Sequence, residues 1–265
     1  MKLHILSDLH NEFLRNGKSS PAHHWNGVIP QTDADVIILA GDIDVGTRGV
    51  EWAIQESARL NKPVIYVPGN HEYYHHEYFS LNTDMTDLCK ETDVHCLNRG
   101  VFINAGVRII GATLWTDYAV NTQVSIDLAM ESAISRMPDH RIIDFKSGYE
   151  TRVFLPTDAL SIHQKELSWI EQQLASPFDG KTVVITHHGP HPVCQHPGFP
   201  VNEITGAFHS DLSRIITAYD IDLWVYGHTH ANLDVVVENT RIVANQAGYP
   251  GENVEYFSNN FIVTL

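Results

Sequence analysis

The run Val36-Ile37-Ile38-Leu39-Ala40 ends abruptly in Gly41-Asp42, five apolar residues broken by the smallest residue and a carboxylate. The same grammar recurs four times. Residues 2–6 lead into Ser7-Asp8-Leu9-His10, and residues 64–67 into Pro68-Gly69-Asn70-His71. Residues 183–186 lead into His187-His188, and residues 223–226 into Gly227-His228-Thr229-His230. Continuous apolar runs of this length read as strands buried on both faces. Gly, Pro and Asp stop a strand and open a loop.

Helical patterns lie between these strands. Val50, Ala53, Ile54, Ser57 and Leu60 share one helix face that ends at Asn61, before Pro63. Leu160, His163, Leu167, Ile170 and Leu174 form a second stripe, started by Thr157 or Asp158 after Pro156. His163 sits in that stripe, so it reads as a packed core histidine. Residues 211–219 form a third, shorter helix. Strand, polar loop, helix, strand is the α/β pattern. Residues 233–238, 241–245 and 261–265 read as strands without helices between them, so an antiparallel portion closes the sheet. Residues 115–156 carry helix formers and weak strand signals, which predicts a helical excursion over the site. No repeat or linker divides the chain, so 1–265 reads as one domain.

Composition narrows the function. The chain has 265 residues, 43% of them hydrophobic and 18% charged, enough for a single large core. A net charge of −15 disfavours binding to long nucleic acid, because it repels phosphate backbones. Cys89, Cys96 and Cys194 match no zinc knuckle and read as ordinary thiols. No apolar run approaches the ~20 residues of a membrane helix. The first ten residues lack the apolar core of a signal peptide. Cytoplasm is therefore the expected location, with no membrane partner; oligomeric state is not readable.

Histidine is the anomaly, with 17 residues, as many as Lys and Arg together. In an open α/β sheet, ligands bind beyond the carboxyl ends of the strands. If the five strands neighbour one another in one sheet, their tips gather two Asp, one Asn and at least five His. Carboxylate, amide and imidazole without thiolate suit Mn, Fe, Zn or Co. Seven ligands exceed one tetrahedral ion and fit two divalent transition-metal ions sharing a carboxylate.

The order Asp8-x-His10, Gly41-Asp42, Gly69-Asn70-His71-Glu72, His187, Gly227-His228-x-His230 resembles the calcineurin-like metallophosphoesterase superfamily. The resemblance spans most of the chain. It implies a four-layer αββα sandwich of two mixed β-sheets flanked by helices, with a dinuclear metal site at the strand tips. By motif, Asp8, His10 and His230 would hold one metal. Asn70, His187 and His228 would hold the second, and Asp42 would bridge. His71 matches the family's non-ligand histidine, which contacts the phosphoryl group or the leaving oxygen. Residues 113–118 and 248–252 also look like a bacterial branch of the family, of unassigned substrate. Many members carry a second Asp three residues after the bridging one, where it orients the catalytic histidine. Here that place is Val45, and Asp44 stands one residue early. The implied activity is hydrolysis of a small phosphate monoester or diester by metal-activated hydroxide.

Two other readings share these residues. His71-Glu72-x-x-His75 satisfies the zinc-peptidase pattern, which requires its histidines one turn apart on a helix. Pro68-Gly69 and the preceding strand place His71 in a loop instead. A non-catalytic metal-binding scaffold would be expected to have lost His71 or several ligands, and all are present. His188 reads either as a pocket residue or as a loop histidine bonded to backbone. The pairs His23-His24 and His75-His76 read as surface residues, and Tyr73, Tyr74 and Tyr78 as packing.

Overall fold

A computed structural model describes residues 1–15, 17 and 25–265. Two mixed sheets face each other. The first has the order β13-β1-β2-β3-β4: β1 (Lys2–Leu6), β2 (Val36–Leu39), β3 (Val64–Tyr66) and β4 (Val94–Cys96) run parallel, and β13 (Ile262–Thr264) pairs antiparallel with β1. The second has the order β11-β12-β10-β9-β6-β5. In it β6 (Val107–Ala112), β9 (Lys181–Thr186), β10 (Leu223–Val225) and β12 (Thr240–Ala244) are parallel. Both of its edges are antiparallel, β5 (Gly100–Asn104) on β6 and β11 (Leu233–Val237) on β12.

The space between the sheets is filled by Leu3, Ile5, Ile38 and Ile65 from one side and Ile109, Val183, Ile185 and Val225 from the other, all buried. Each such side chain contributes roughly 1.5–3 kcal/mol. On the outer face of the first sheet pack α2 (Arg48–Leu60) and α3 (Tyr78–Leu88), and on that of the second pack α6 (Pro156–Ala175) and α7 (Ser213–Ala218). Helix, sheet, sheet, helix gives four layers. Asn61 ends α2 with φ 52°, its N–H bonded to the Ser57 carbonyl, which is where Pro63 placed the boundary. Pro156 occupies the first turn of α6. His163 is buried in that helix with Nδ1 3.0 Å from the Leu114 carbonyl, a core histidine as its position implied.

The sequence expectations need three corrections. The five strands that carry the motifs are not neighbours in one sheet: β1, β2 and β3 lie in the first and β9 and β10 in the second. A strand between a helix layer and a second sheet is apolar on both faces either way, so the pattern cannot distinguish them. Strands β4, β5 and β6 also escaped notice. The apolar run of β6 is interrupted by Arg108, whose guanidinium is spent on the Gln173 and Ser176 carbonyls at the end of α6. Finally, the excursion is helical only in its first half, α4 (Ile126–Arg136) and α5 (Asp139–Ile142). A hairpin of β7 (Asp144–Ser147) and β8 (Glu150–Val153) follows. Its strands are mostly exposed and charged, so they show no apolar alternation; the turn at Gly148, φ 64°, was the available signal.

Candidate metal centre

Register delivers the tips. Leu6 pairs with Leu39 and Leu39 with Tyr66, so Asp8, Asp42 and Asn70 emerge side by side. Ile185 pairs with Val225, so His187 and His228 emerge together across the sandwich. The sheets are stitched at this end. His228 N–H donates to Asp8 Oδ1 at 2.9 Å, and His187 Nδ1 lies 2.9 Å from the Ala40 carbonyl.

Three overlapping clusters result. Asp8, His10 and His230 bring one ligand atom each within 4.8 Å of one another, as do Asp42, His187 and His228, and a third group, His10, Asp42 and His71, joins them. Within the first, His10 Nε2 and His230 Nε2 are 3.2 Å apart, and His230 Nε2 is 3.5 Å from Asp8 Oδ1. In the second, His187 Nε2 lies 3.3 Å from Asp42 Oδ1 and 3.0 Å from Asn70 Oδ1. Asp42 stands between them: Oδ1 faces His187, while Oδ2 is 4.0 Å from His10 Nε2. The Asn70 amide group donates to Asp139 Oδ1 at 2.7 Å and to Tyr74 Oη at 3.1 Å, which leaves its oxygen pointing at the centre.

The backbone here is strained. Asp8, His10, Asp42, His228 and His230 all have φ between 47° and 70°, the left-handed region that L residues avoid. Such outliers concentrate at functional sites. Close approach fixes the neighbouring glycines: a Cβ on Gly41 would sit 2.3 Å from His187 Nδ1, and one on Gly227 2.6 Å from Asp8 Oδ2.

The donor chemistry fits cations. Asp8 Oδ2 and His228 Nε2 are buried without a hydrogen-bond partner, and a buried polar atom in that condition is costly unless something else satisfies it. Burial opposes charge on every histidine here. It prevails at His10 and His228, held below the ordinary histidine value. At His187 the Asp42 carboxylate prevails and lifts the group to about 9. At His230, hydrogen bonds to Asp8 and Glu252 lift it to about 10. The carboxylates thus hold positive charge in the centre, and metal ions would replace protons in that role. Histidines raised in this way favour the cationic form at neutral pH, so loading of the centre is expected to release protons, and apparent metal affinity to fall with falling pH. Titration calorimetry in buffers of different ionisation enthalpy counts them; zero released protons would contradict the assignment.

His71, the third member of the group with His10 and Asp42, stands on a single 3-10 turn, His71–Tyr73. Its Nδ1 is 3.1 Å from Glu12 Oε1, and its Nε2 is 3.9 Å from Asp42 Oδ2 and 2.9 Å from Tyr249 Oη. Asp44 does not orient it. That carboxylate pairs with Arg15 and accepts from its own neighbour Val45 N–H, and the carboxylate that bonds His71 is that of Glu12, two residues after His10. Glu12 is pushed down to about 2: burial works against it, and hydrogen bonds from His10 and His71 outweigh burial.

The peptidase geometry is absent. Tyr74 is already extended at ψ 126°, and His75 is exposed with φ 65°, so His71 and His75 do not share a helix face. Glu72 is fully buried and accepts from the N–H groups of Asp42, Ile43 and Gly69 and from the Tyr66 hydroxyl. It ties the loops after β2 and β3 together, and its four hydrogen bonds leave it no lone pair for a substrate water.

His188 is buried, 3.4 Å from the Thr113 carbonyl through Nδ1 and stacked on Trp115, so the backbone-bonded reading applies. His75 and His76 are exposed; His23 and His24 lie outside the described residues. Tyr73 and Tyr78 stack in the core, but Tyr74 lies on the His71 ring at 4.2 Å and belongs to the site. The segment 248–252 contributes Tyr249 on His71 and Glu252 at 2.5 Å from His230 Nδ1. Asp139 carried no signal in the sequence.

Comparison with known proteins bears on the fold and the family. A curated protein of Acanthamoeba polyphaga mimivirus, itself uncharacterized, is 26% identical over 275 residues, covering 98% of this chain and 93% of its own. The phosphopantetheinyl hydrolase of Mycobacterium tuberculosis shares the fold with a TM-score of 0.74 at 20% identity, covering 98% of this chain and 94% of that one. A Thermus thermophilus structure aligns with a TM-score of 0.50 at 12% identity, over 92% of this chain and 88% of that one. The family model for calcineurin-like phosphoesterases matches residues 1–232, from the strand before Asp8 to just beyond His230. With the motif-bearing loops of both sheets inside that match, the chain belongs to the calcineurin-like phosphoesterase family.

Proposed function

We propose that residues 1–265 act as one metallophosphoesterase domain that hydrolyses a small phosphate monoester or diester at two divalent metal ions. The observation that carries this reading is Asp42, whose two carboxylate oxygens face two separate histidine clusters. Asp8, His10 and His230 would hold one ion, Asn70, His187 and His228 the other, and Asp42 both. Mn, Fe, Zn and Co all suit these donors. Bound there, such ions supply a nucleophilic water of lowered pKa and a clamp for phosphoryl oxygens.

The chain's own residues do the rest. His71 is held by Glu12 at Nδ1 and presents Nε2 toward the centre, where it would hand a proton to the leaving oxygen. Tyr249 Oη occupies the hydrogen-bonding position that this oxygen would take. Tyr74 and Asp139 keep the Asn70 oxygen aimed inward.

The test is a hydrolysis panel of monoester, diester, cyclic nucleotide and pyrophosphate, run on metal-stripped protein reloaded with each of the four metals. A phosphopantetheinyl ester belongs in the panel, because the mycobacterial protein of the same fold is a phosphopantetheinyl hydrolase. Turnover is expected only after metal is restored. Equal turnover in the presence of a strong chelator would overturn the proposal.

A further inference from the structure

The metal centre opens into a cavity of about 770 Å3, lined among others by Asp42, His71, His230, Tyr249, Glu252 and Glu255. A second cavity of about 250 Å3 opens beside it, and the two share the walls Phe199, Phe208, His196 and Thr229. Ile204 and Pro200 extend the apolar lining of the smaller chamber. Phe199 is 66% exposed and Tyr256 84% exposed at the mouth, two of the few exposed rings among the described residues, the others being Phe79 and Tyr149.

Charge is the second observation. Among the described residues, neither cavity is lined by a lysine or an arginine. The larger one is lined by Glu255, besides Asp42 of the centre and Glu252, which is paired with His230, and the chain as a whole carries −15. His196 sits between the cavities, held below the ordinary histidine value by burial, and so adds no cation at neutral pH. Positive charge is thus confined to the metal centre. One phosphoryl group would be neutralised there; a second anionic group further out would find no cationic side chain, only Glu255 in the larger cavity and the apolar walls of the smaller one, where a charge is costly to desolvate.

We infer that the site selects phosphate esters whose remaining part is uncharged and partly apolar, seats that part in the side chamber behind Phe199, and rejects substrates with a second anionic group. Nucleoside polyphosphates, pyrophosphates and bisphosphates are therefore excluded classes. The inference rests on the phosphoesterase reading for where the phosphoryl group lies. It adds the specificity, and names Phe199 and Glu255 as residues that set it.

The experiment measures binding, so that it does not depend on turnover. Manganese-loaded protein is titrated calorimetrically with methylphosphonate, hexylphosphonate and 5-carboxypentylphosphonate. Hexylphosphonate should bind about 10–100-fold more tightly than methylphosphonate, the gain from burying an alkyl chain less the cost of ordering it. The terminal carboxylate should erase that gain. Phe199→Ala should shrink the hexyl-to-methyl ratio about 5-fold or more, and Glu255→Lys should recover about 3–10-fold in affinity for the carboxylate-tailed probe. Equal binding of the hexyl and carboxypentyl probes would overturn the inference, as would a hexyl-to-methyl ratio near one or no binding of any probe. Tight, ordered binding with no ester hydrolysed under any metal would leave this inference standing and sink the phosphoesterase reading instead.

Discussion

Asp42→Asn is expected to lose one of two bound ions and at least ~10³-fold in hydrolysis, the largest effect of any single substitution in the chain. The carboxylate offers one oxygen to each cluster; an amide offers one oxygen and one N–H pair, so one cluster would face a donor instead of a ligand. The damage goes further than charge. Asp42 Oδ1 also accepts the His71 backbone N–H at 2.9 Å, and its charge is what lifts His187 above the ordinary histidine range. With the amide in place, His187 should titrate nearer its usual value and the metal-free site should release fewer protons on loading. Elemental analysis of reloaded protein and kcat on an activated ester are the measurements. Retention of both ions with activity within about 10-fold of wild type would show that Asp42 bridges nothing.

For His71→Ala the expected loss depends on the leaving group. Alkyl esters should slow by ~10²–10⁴-fold, the range of general acid catalysis, because an alkoxide is a strong base and needs its proton. Nitrophenyl esters should slow far less, and metal content should not change. Glu12→Gln should show the same bias more weakly, since Glu12 holds His71 at Nδ1, whereas Asp44→Asn should show none, because Asp44 is bonded to Arg15 and Val45. A plot of rate against leaving-group pKa decides it. Parallel lines for wild type and His71→Ala would assign His71 to the phosphoryl oxygens or to binding.

The fold class was legible, and so were the residues that the structure brings together at the strand tips. These candidate ligands stand out because each lies within a few residues of the end of an apolar strand, where a polar residue has few structural duties. The partners that aim these ligands were not legible. Asp139 comes from a four-residue helix in the excursion, Tyr249 and Glu252 from a loop near the carboxyl end, and no spacing rule connects either with Asn70, His71 or His230. Glu72 illustrates the opposite hazard. Its neighbours spelled a catalytic motif, yet the backbone turns after Tyr73 and commits the carboxylate to three amides and a phenol. At the level of topology, two-sided burial marked the strands, but nothing in an apolar run says which of two sheets it joins.

The left-handed backbone at Asp8, His10, Asp42, His228 and His230 has a consequence for the protein's life in a cell. Each such residue costs roughly 1 kcal/mol or more, and a domain's whole margin is only about 5–15 kcal/mol. Ions that bind the folded chain and not the unfolded one widen that margin, and their loss narrows it. Metal starvation should therefore act on abundance as well as on catalysis. A metal-free chain would be expected to open more often and be removed by proteases, so that the amount of this protein would record the supply of the proposed ions.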